Sequence, residues 1–94
     1  PGFGFGKDLR QNYALLSQMD RLQVLGLPLL VGVSRKRMAY QLVGGDASTA
    51  LNATTAIHAV ALMKGANLLR VHDVKEAMEA VRVVCETIIN QPKP

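Results

Sequence analysis

The segment LPLLVGVSRKR, residues 27–37, joins an apolar run to a basic cluster and decides the fold class. Its first part, 27–34, is an apolar run with two valines, which predicts a fully buried strand of a parallel sheet. The segment NLLRV, residues 67–71, predicts a second buried strand. The basic residues come at or just after the ends of these two runs.

The residues before the first strand have the spacing of a helix. Large apolar side chains recur every three or four positions from Leu15 to Leu25. Asp8, with Gln11 three residues later, predicts a capping box at the start of this helix, and Gly26 predicts its end.

Two more helices follow the two strands. The alanine-rich segment from about 50 to 64 predicts a closely packed helix that stops at Gly65. Asp73, with Glu76 three residues later, predicts a capped amphipathic helix, followed by a frayed tail over 90–94. The resulting order, α-β-α-β-α, predicts an α/β fold with parallel strands.

Composition limits the classes of function. The chain has 94 residues, the size of one small domain, and a net charge of +4 from basic residues that occur singly or in one short group. Only 4% of its residues are aromatic, which favours a small anionic ligand over nucleic acid. Cys85 has no disulfide partner, and no signal peptide or long apolar span occurs, so we expect a cytoplasmic protein without membrane contact. His58 and Cys85 lack metal-ligand spacing and are interpreted as structural.

The residues after the second strand predict an anion site. Ligands of α/β folds bind beyond the carboxyl ends of the strands. Arg70 and His72 are two positions apart, so their side chains point to one face while Val71 points to the other. The start of the following helix adds partial positive charge, which suits phosphate. Pairing of Arg70 with an acid such as Asp73 is the alternative.

The same alternation applies after the first strand. It places Gly32, Ser34 and Lys36 on one side, where Lys36 would act as a point charge and hydrogen-bond donor. The planar guanidinium of Arg35 could stack on a ring. A solvated basic loop is the alternative.

The chain begins with PGFGFGKD, residues 1–8, in which glycines alternate with phenylalanines. Glycine allows close approach of a ligand and a ring offers a flat apolar surface, so the segment predicts a loop that receives a planar molecule. It fits neither the dinucleotide fingerprint nor the nucleotide-triphosphate loop, because its third glycine comes one residue too early and Lys7 precedes Asp8. A flexible loop with both rings in the core is the alternative.

Three segments carry a family resemblance: PGFGFGKDLRQNYALL, PLLVGVSRKR and LLRVHDVKEAMEAVRVV, in this order and at these intervals. They resemble the C-terminal part of the bacterial dihydropteroate synthases, and the likeness extends over essentially the whole chain. The resemblance implies the C-terminal portion of a TIM (β/α)8 barrel, with 1–94 as one partial domain. It implies condensation of 6-hydroxymethyl-7,8-dihydropterin pyrophosphate with p-aminobenzoate in folate biosynthesis, giving 7,8-dihydropteroate and pyrophosphate. It also implies a sulfonamide target, a homodimer, and Mg²⁺ held by ligands outside this chain.

The resemblance also implies contacts to the two substrates. Gly32, Arg35 and Lys36 correspond to residues that bind the pterin. Phe5, Lys36 and Arg37 correspond to positions beside p-aminobenzoate. Many relatives have serine where this chain has Arg37, and its guanidinium could pair with the p-aminobenzoate carboxylate instead.

The leaving group is the third ligand. By the same resemblance Arg70 and His72 hold the departing pyrophosphate, and Lys36, Arg70 and His72 are the residues expected to carry catalysis. Breaking the carbon–oxygen bond leaves a resonance-stabilised pterin cation, so stabilisation of the leaving group is needed more than a strong base.

Two alternatives remain open from the sequence. The chain could be a non-catalytic oligomerising fragment, or part of another pterin-binding barrel of the methyltransferase type. A methyltransferase needs no pyrophosphate clamp, so Arg70 and His72 favour the synthase. We expect the 94-residue piece alone to be inactive, and to be a homo-oligomer because its strands would leave open sheet edges.

Overall fold

The computed structural model describes residues 1–4 and 6–92, which form four α-helices, two short 3-10 helices and two short strands. In chain order the elements are α1 (Leu9–Ser17), a 3-10 helix (Met19–Leu25), β1 (Leu30–Val31), α2 (Arg37–Gln41), a 3-10 helix (Ala47–Thr49), α3 (Leu51–Met63), β2 (Leu68–Leu69) and α4 (Val74–Ile89). No described helix has the length and apolar character that a membrane span requires.

The two strands pair in parallel, as the sequence predicts. Leu30 lies opposite Leu68 and Val31 opposite Leu69. The pairing continues past β2, where the backbone N–H of Arg70 donates to the carbonyl oxygen of Val31 at 2.9 Å. Both carboxyl ends therefore open onto the same edge of the sheet.

Within the described residues the strands are buried on one face only, not on both faces as the sequence predicts. Leu29, Val31 and Val33 are buried, whereas Leu30 and Leu68 are 53% and 57% exposed. Successive strand residues point to opposite faces, and the described helices cover only one of them. The buried face belongs to one core, whose members are Phe3, Leu16, Met19, Leu29, Val31, Val33, Met38, Ala39, Ile57, Ala61 and Ala66.

The first helix begins as predicted but ends early. The Asp8 carboxylate accepts from the Gln11 N–H at 2.7 Å and the Gln11 side chain accepts from the Asp8 N–H at 2.9 Å, which confirms the capping box. From Met19 the chain is a 3-10 helix that ends at Gly26. Three residues per turn place Met19 and Leu22 on the same side, where both pack on the core.

The later helices follow the prediction except at two points. α3 ends before Gly65, whose φ of 100° suits a residue without a Cβ. Asp73 does not cap α4 with its side chain, so the second capping box is wrong. α2 and the 3-10 helix after it were not predicted, since they are too short to show a helical period. The frayed tail over 90–94 falls partly on residues 93 and 94, which lie outside the described residues.

His58 is buried in α3, and this burial affects the protonation of its side chain. It is 2% exposed, and its Nε2 has no hydrogen-bond partner in the described part of the chain. Burial lowers the pKa of His58 below its ordinary 6.5, and the nearby Asp73 carboxylate opposes this only in part. The folded protein therefore holds this imidazole neutral under conditions where an unfolded chain would protonate it.

We expect the free energy of unfolding to fall as the pH drops below about 6.5, because the unfolded chain takes up a proton at His58 that the folded chain does not. The slope from this group is at most about 1.4 kcal/mol per pH unit. Urea unfolding of wild type and His58→Leu at pH 7.5 and 5.5 measures it. A His58→Leu protein that loses as much stability as wild type over this interval would contradict the assignment.

Candidate anion-binding site

A pocket of about 240 Å³ opens at the carboxyl ends of β1 and β2. Gly32, Ser34 and Lys36 line it from the first strand, and Arg70, Val71 and His72 from the second. Four residues singled out in the sequence, Gly32, Lys36, Arg70 and His72, are therefore brought together. Val71 also contributes to the lining, although strand alternation alone would place it on the opposite face.

Ser34 connects the two strand ends inside this pocket. Its Oγ accepts a hydrogen bond from the backbone N–H of His72 at 3.2 Å and lies 2.8 Å from the Nδ1 of the same residue. Ser34 is buried and His72 is exposed, so the contact is half-buried at the pocket wall. The imidazole is thus held by its Nδ1 side, and Nε2 is the ring nitrogen left for a ligand.

Lys36 links the pocket to the glycine-rich loop. Its Nζ donates to the carbonyl oxygen of Phe3 at 2.9 Å. Gly4, with a φ of 91°, follows, and its N–H donates to the buried Asn12 side chain at 2.8 Å. The Asn12 amide also donates to the Asp8 carbonyl at 3.1 Å, so α1 holds the loop against the pocket.

The two phenylalanines of the glycine-rich loop are Phe3 and Phe5. The ring of Phe3 is buried in the core, as the alternative interpretation of this loop expects. Phe5, predicted beside p-aminobenzoate, lies outside the described residues.

Asp73 forms an ion pair with Arg35, and neither residue lines the pocket. The Arg35 Nη2 donates to Asp73 Oδ1 at 2.6 Å and Nε donates to Oδ2 at 3.2 Å. This pairing lowers the pKa of Asp73 and raises that of Arg35. The alternative in which Asp73 neutralises Arg70 is therefore wrong, because the carboxylate belongs to a different guanidinium. The same ion pair explains why Asp73 does not cap α4.

Arg35 and Arg37 stand apart from the pocket lining. Arg35 is exposed at the rim with its guanidinium on Asp73, and Arg37 is the exposed first residue of α2. The structure thus brings Lys36 together with Arg70 and His72, the predicted pyrophosphate residues. It does not place Arg35 or Arg37 in the lining of this pocket.

The backbone of Arg35 is held in a left-handed conformation with a φ of 56°. Its N–H donates to Oγ1 of Thr54, a residue of α3 that is 2% exposed, at 3.1 Å. Such a conformation costs a residue with a Cβ about 1–2 kcal/mol, so a fixed hydrogen bond is needed to hold it. No sequence pattern points to Thr54, because its role depends on how α3 packs beneath the loop.

We expect Thr54→Val to destabilise the protein by about 1–2 kcal/mol, since valine has the same shape but leaves the Arg35 N–H without its acceptor. Thr55→Val is the matched control: that hydroxyl only donates to the Leu51 carbonyl within α3, so its loss should change stability by less than about 0.5 kcal/mol. Chemical denaturation of both variants measures the difference. Equal effects would show that Thr54 does not hold the loop.

The charges of the pocket are all of one sign. Lys36, Arg70 and His72 supply cationic or donor groups, and no carboxylate lines the pocket within residues 1–4 and 6–92. The same part of the chain has no group of three or more His, Cys, Asp or Glu side chains able to hold a metal ion. The pocket can therefore bind an anion with several oxygens, such as a phosphate group.

A larger groove, of about 810 Å³, lies elsewhere and has a different character. It runs between α1, α3 and the chain from 42 to 49, and no charged side chain lines it in the described residues. Its apolar walls suit a packing surface, whereas the smaller cationic pocket suits chemistry.

Comparison with known proteins shows the family of the chain. The family model of the pterin binding enzymes matches residues 1–72. The dihydropteroate synthase of Escherichia coli (strain K12) is 50% identical over 88 residues, which cover 94% of this chain and 31% of that protein. The 7,8-dihydropteroate synthase structure from Vibrio fischeri ES114 is 44% identical, with a TM-score of 0.95 over 98% of this chain and 34% of its own.

A third relative was solved with a ligand. The dihydropteroate synthase from Thermus thermophilus in complex with 4-aminobenzoate is 48% identical, with a TM-score of 0.85 over 92% of this chain and 34% of its own. The chain thus spans about a third of the length of the relatives it matches. The match covers both segments that form the cationic pocket, and the chain belongs to the family of pterin binding enzymes.

Proposed function

We propose that the protein carrying this chain is a dihydropteroate synthase, which condenses 6-hydroxymethyl-7,8-dihydropterin pyrophosphate with p-aminobenzoate. The observation that best supports this proposal is the pocket in which Lys36, Arg70 and His72 meet. No carboxylate among the described residues lines this pocket. A pterin binding enzyme that releases pyrophosphate needs such a pocket, and a methyltransferase of the same family does not. The close relatives carry the synthase name.

The exposed strand face supports a barrel. Leu30 and Leu68 are apolar, paired and more than half exposed on the face that the described helices leave open. In a (β/α)8 barrel this face is packed in layers inside the barrel. We infer that residues 1–94 contribute a C-terminal portion of such a barrel as one partial domain, and that further strands cover this face.

Four of the pocket residues, Gly32, Lys36, Arg70 and His72, would each take a part in the reaction. Arg70 and the Nε2 of His72 would bind oxygens of the pyrophosphate and stabilise the charge that develops as the carbon–oxygen bond breaks. The start of α4, directly after Asp73, adds partial positive charge. Lys36 would donate to the pterin and Gly32 would lie against it. The amine of p-aminobenzoate then attacks the pterin carbon.

The remaining predicted contacts would be made at the rim. Arg35, exposed beside Asp73, can present the flat side of its guanidinium to the pterin without leaving the ion pair. Arg37 can reach an incoming carboxylate only from the first turn of α2, and Phe5 would border the same substrate. Sulfonamides, which have the aniline of p-aminobenzoate, would compete at this rim.

Mg²⁺ does not fit the described part of this chain, which lacks a set of metal-ligating side chains. We propose that any Mg²⁺ used with the pyrophosphate is held by groups outside it, and none of the roles above depends on the ion. We also propose a cytoplasmic location, which suits the free Cys85 thiol.

The test uses a complete barrel, either the full-length protein that carries these 94 residues or a chimera in which they replace the matching segment of the E. coli enzyme. We call it the complete enzyme. Incubation with the two substrates should give dihydropteroate and pyrophosphate, and sulfonamide should inhibit. The unmodified E. coli enzyme is the positive control. A folded complete enzyme that binds pterin but forms no dihydropteroate would refute the synthase and favour the methyltransferase or non-catalytic alternative.

We further propose that the protein is a homodimer that uses α3 and α4. The large apolar groove borders α3, and Val83 on α4 is 67% exposed. Exposed apolar surface on two adjacent helices is typical of a self-complementary interface.

We expect the complete enzyme to sediment as a dimer at micromolar concentration and Val83→Glu to shift it toward monomer, because a buried charge opposes association. Val24→Glu is the matched control, since Val24 is 88% exposed on the 3-10 helix 19–25. A monomeric wild type, or equal shifts by both substitutions, would refute the interface.

A further inference from the structure

Ser34 contacts the ring of His72 in the anion pocket, although the proposed reaction gives Ser34 no role of its own. Ser34 does not need to touch a substrate to matter, because it holds a side chain that does. The inference rests on the proposed function only for the identity of the anion. Which nitrogen of the His72 ring carries the proton can be measured without any turnover.

The hydrogen-bonding capacity of one hydroxyl limits the possible arrangements. Ser34 Oγ has one hydrogen to donate and two lone pairs. The backbone N–H of His72 already donates to it at 3.2 Å. The ring Nδ1, 2.8 Å away, can then either accept the hydroxyl hydrogen or donate its own.

The first arrangement satisfies every group. If Ser34 donates to Nδ1, its hydrogen is used and the ring proton sits on Nε2. If Nδ1 donates instead, the Ser34 hydrogen must find another acceptor, and the described residues provide none for this buried hydroxyl. A buried donor without a partner is unfavourable, so the neutral ring is held with its proton on Nε2.

We propose that Ser34 is a positioning residue that fixes His72 in the Nε2–H tautomer and aims that N–H at the anion. A neutral histidine in the other tautomer would present a lone pair to phosphate oxygens and repel them. Ser34 thus makes His72 a hydrogen-bond donor in both its neutral and its protonated form. Because Ser34 follows β1 and His72 follows β2, the contact also fixes the distance between the two strand ends.

The test compares Ser34→Thr with Ser34→Val in the complete enzyme. The two side chains have nearly the same shape and differ in the hydroxyl, so packing effects cancel. We expect Ser34→Val to raise the KM for dihydropterin pyrophosphate about fivefold to tenfold relative to Ser34→Thr, with the KM for p-aminobenzoate nearly unchanged. A merely structural role would move both constants together.

The second readout is ¹⁵N NMR of histidine-labelled protein, with the His72 signals assigned by their loss in His72→Gln. When the ring is neutral, wild type and Ser34→Thr should show an unprotonated Nδ1 and a protonated Nε2, and Ser34→Val should lose this preference. Equal spectra for the threonine and valine variants, or a wild type with its proton on Nδ1, would overturn the proposal. The wild-type spectrum decides the point even if Ser34→Val fails to fold.

The two proposals fail in different ways. If the complete enzyme has no synthase activity but the tautomer is lost in Ser34→Val together with affinity for inorganic pyrophosphate, the role of Ser34 stands and the reaction is wrong. If synthase activity is present and neither the tautomer nor the KM changes, the reaction stands and the role of Ser34 is wrong.

Discussion

Lys36→Ala is expected to lower kcat/KM of the complete enzyme by roughly 10- to 150-fold, the effect of losing one charge-assisted contact of about 1.5–3 kcal/mol. Lys36 lines the anion pocket beside Arg70 and His72, and its Nζ donates to the Phe3 carbonyl at 2.9 Å. The substitution removes a positive charge from the pocket and one tie to the glycine-rich loop. Steady-state kinetics with both substrates varied measures the loss.

Folding should be nearly unaffected, because the Lys36 side chain lies at a pocket and not in the core. Lys36→Arg keeps the positive charge but changes the shape of the charged group. It should recover part of the activity if the charge contributes more than the shape. Lys64→Met is the matched control, since this lysine follows α3 and precedes β2, at the amino end of the strands. Wild-type activity in a folded Lys36→Ala enzyme would remove Lys36 from the site.

The parts of the fold predicted correctly from sequence are those fixed by neighbours along the chain. The capping box of Asp8 with Gln11 and the end of α3 before Gly65 follow from local spacing. The parallel pairing of β1 with β2 follows from the alternation of helices and strands along the chain. The grouping of Gly32, Lys36, Arg70 and His72 also follows, because strand alternation and parallel pairing together bring these positions to one edge.

The wrong predictions share a different cause: contacts between residues that are distant in sequence override the local pattern. Asp73 has the sequence of a helix cap, but Arg35, 38 positions earlier, takes its carboxylate. No pattern around residue 73 could reveal that partner. The one-sided burial of β1 is similar: its sequence is apolar on both faces, and which face the chain itself covers depends on where the helices pack.

The roles of Ser34 and Thr54 could be found only in part. Ser34 alternates with Lys36, so its direction toward the pocket follows from the strand, but its pairing with His72 depends on strand register. Thr54 lies in the middle of an alanine-rich helix and resembles any other helical threonine. Its contact with Arg35 exists because the loop after β1 turns left-handed above α3.

The two residues after β2 give the most selective prediction. Arg70→Ala and His72→Ala should each weaken binding of dihydropterin pyrophosphate by about 1–3 kcal/mol, roughly 5- to 150-fold in Kd, and leave binding of p-aminobenzoate nearly unchanged. The reason is spatial: both side chains face the anion pocket after β2, whereas the predicted p-aminobenzoate contacts come mainly from the glycine-rich loop and the start of α2.

Calorimetry of the complete enzyme with inorganic pyrophosphate isolates this contact from the pterin ring. The wild-type affinity should fall as salt is raised, since the pocket is partly open and its attraction is screened, and both variants should lose part of that salt dependence. Arg21→Ala, which removes the same charge from the exposed 3-10 helix 19–25, should bind pyrophosphate like wild type. If Arg70→Ala weakened p-aminobenzoate as much as pyrophosphate, the pocket would have collapsed as a whole, and the separation of leaving-group and acceptor subsites would be wrong.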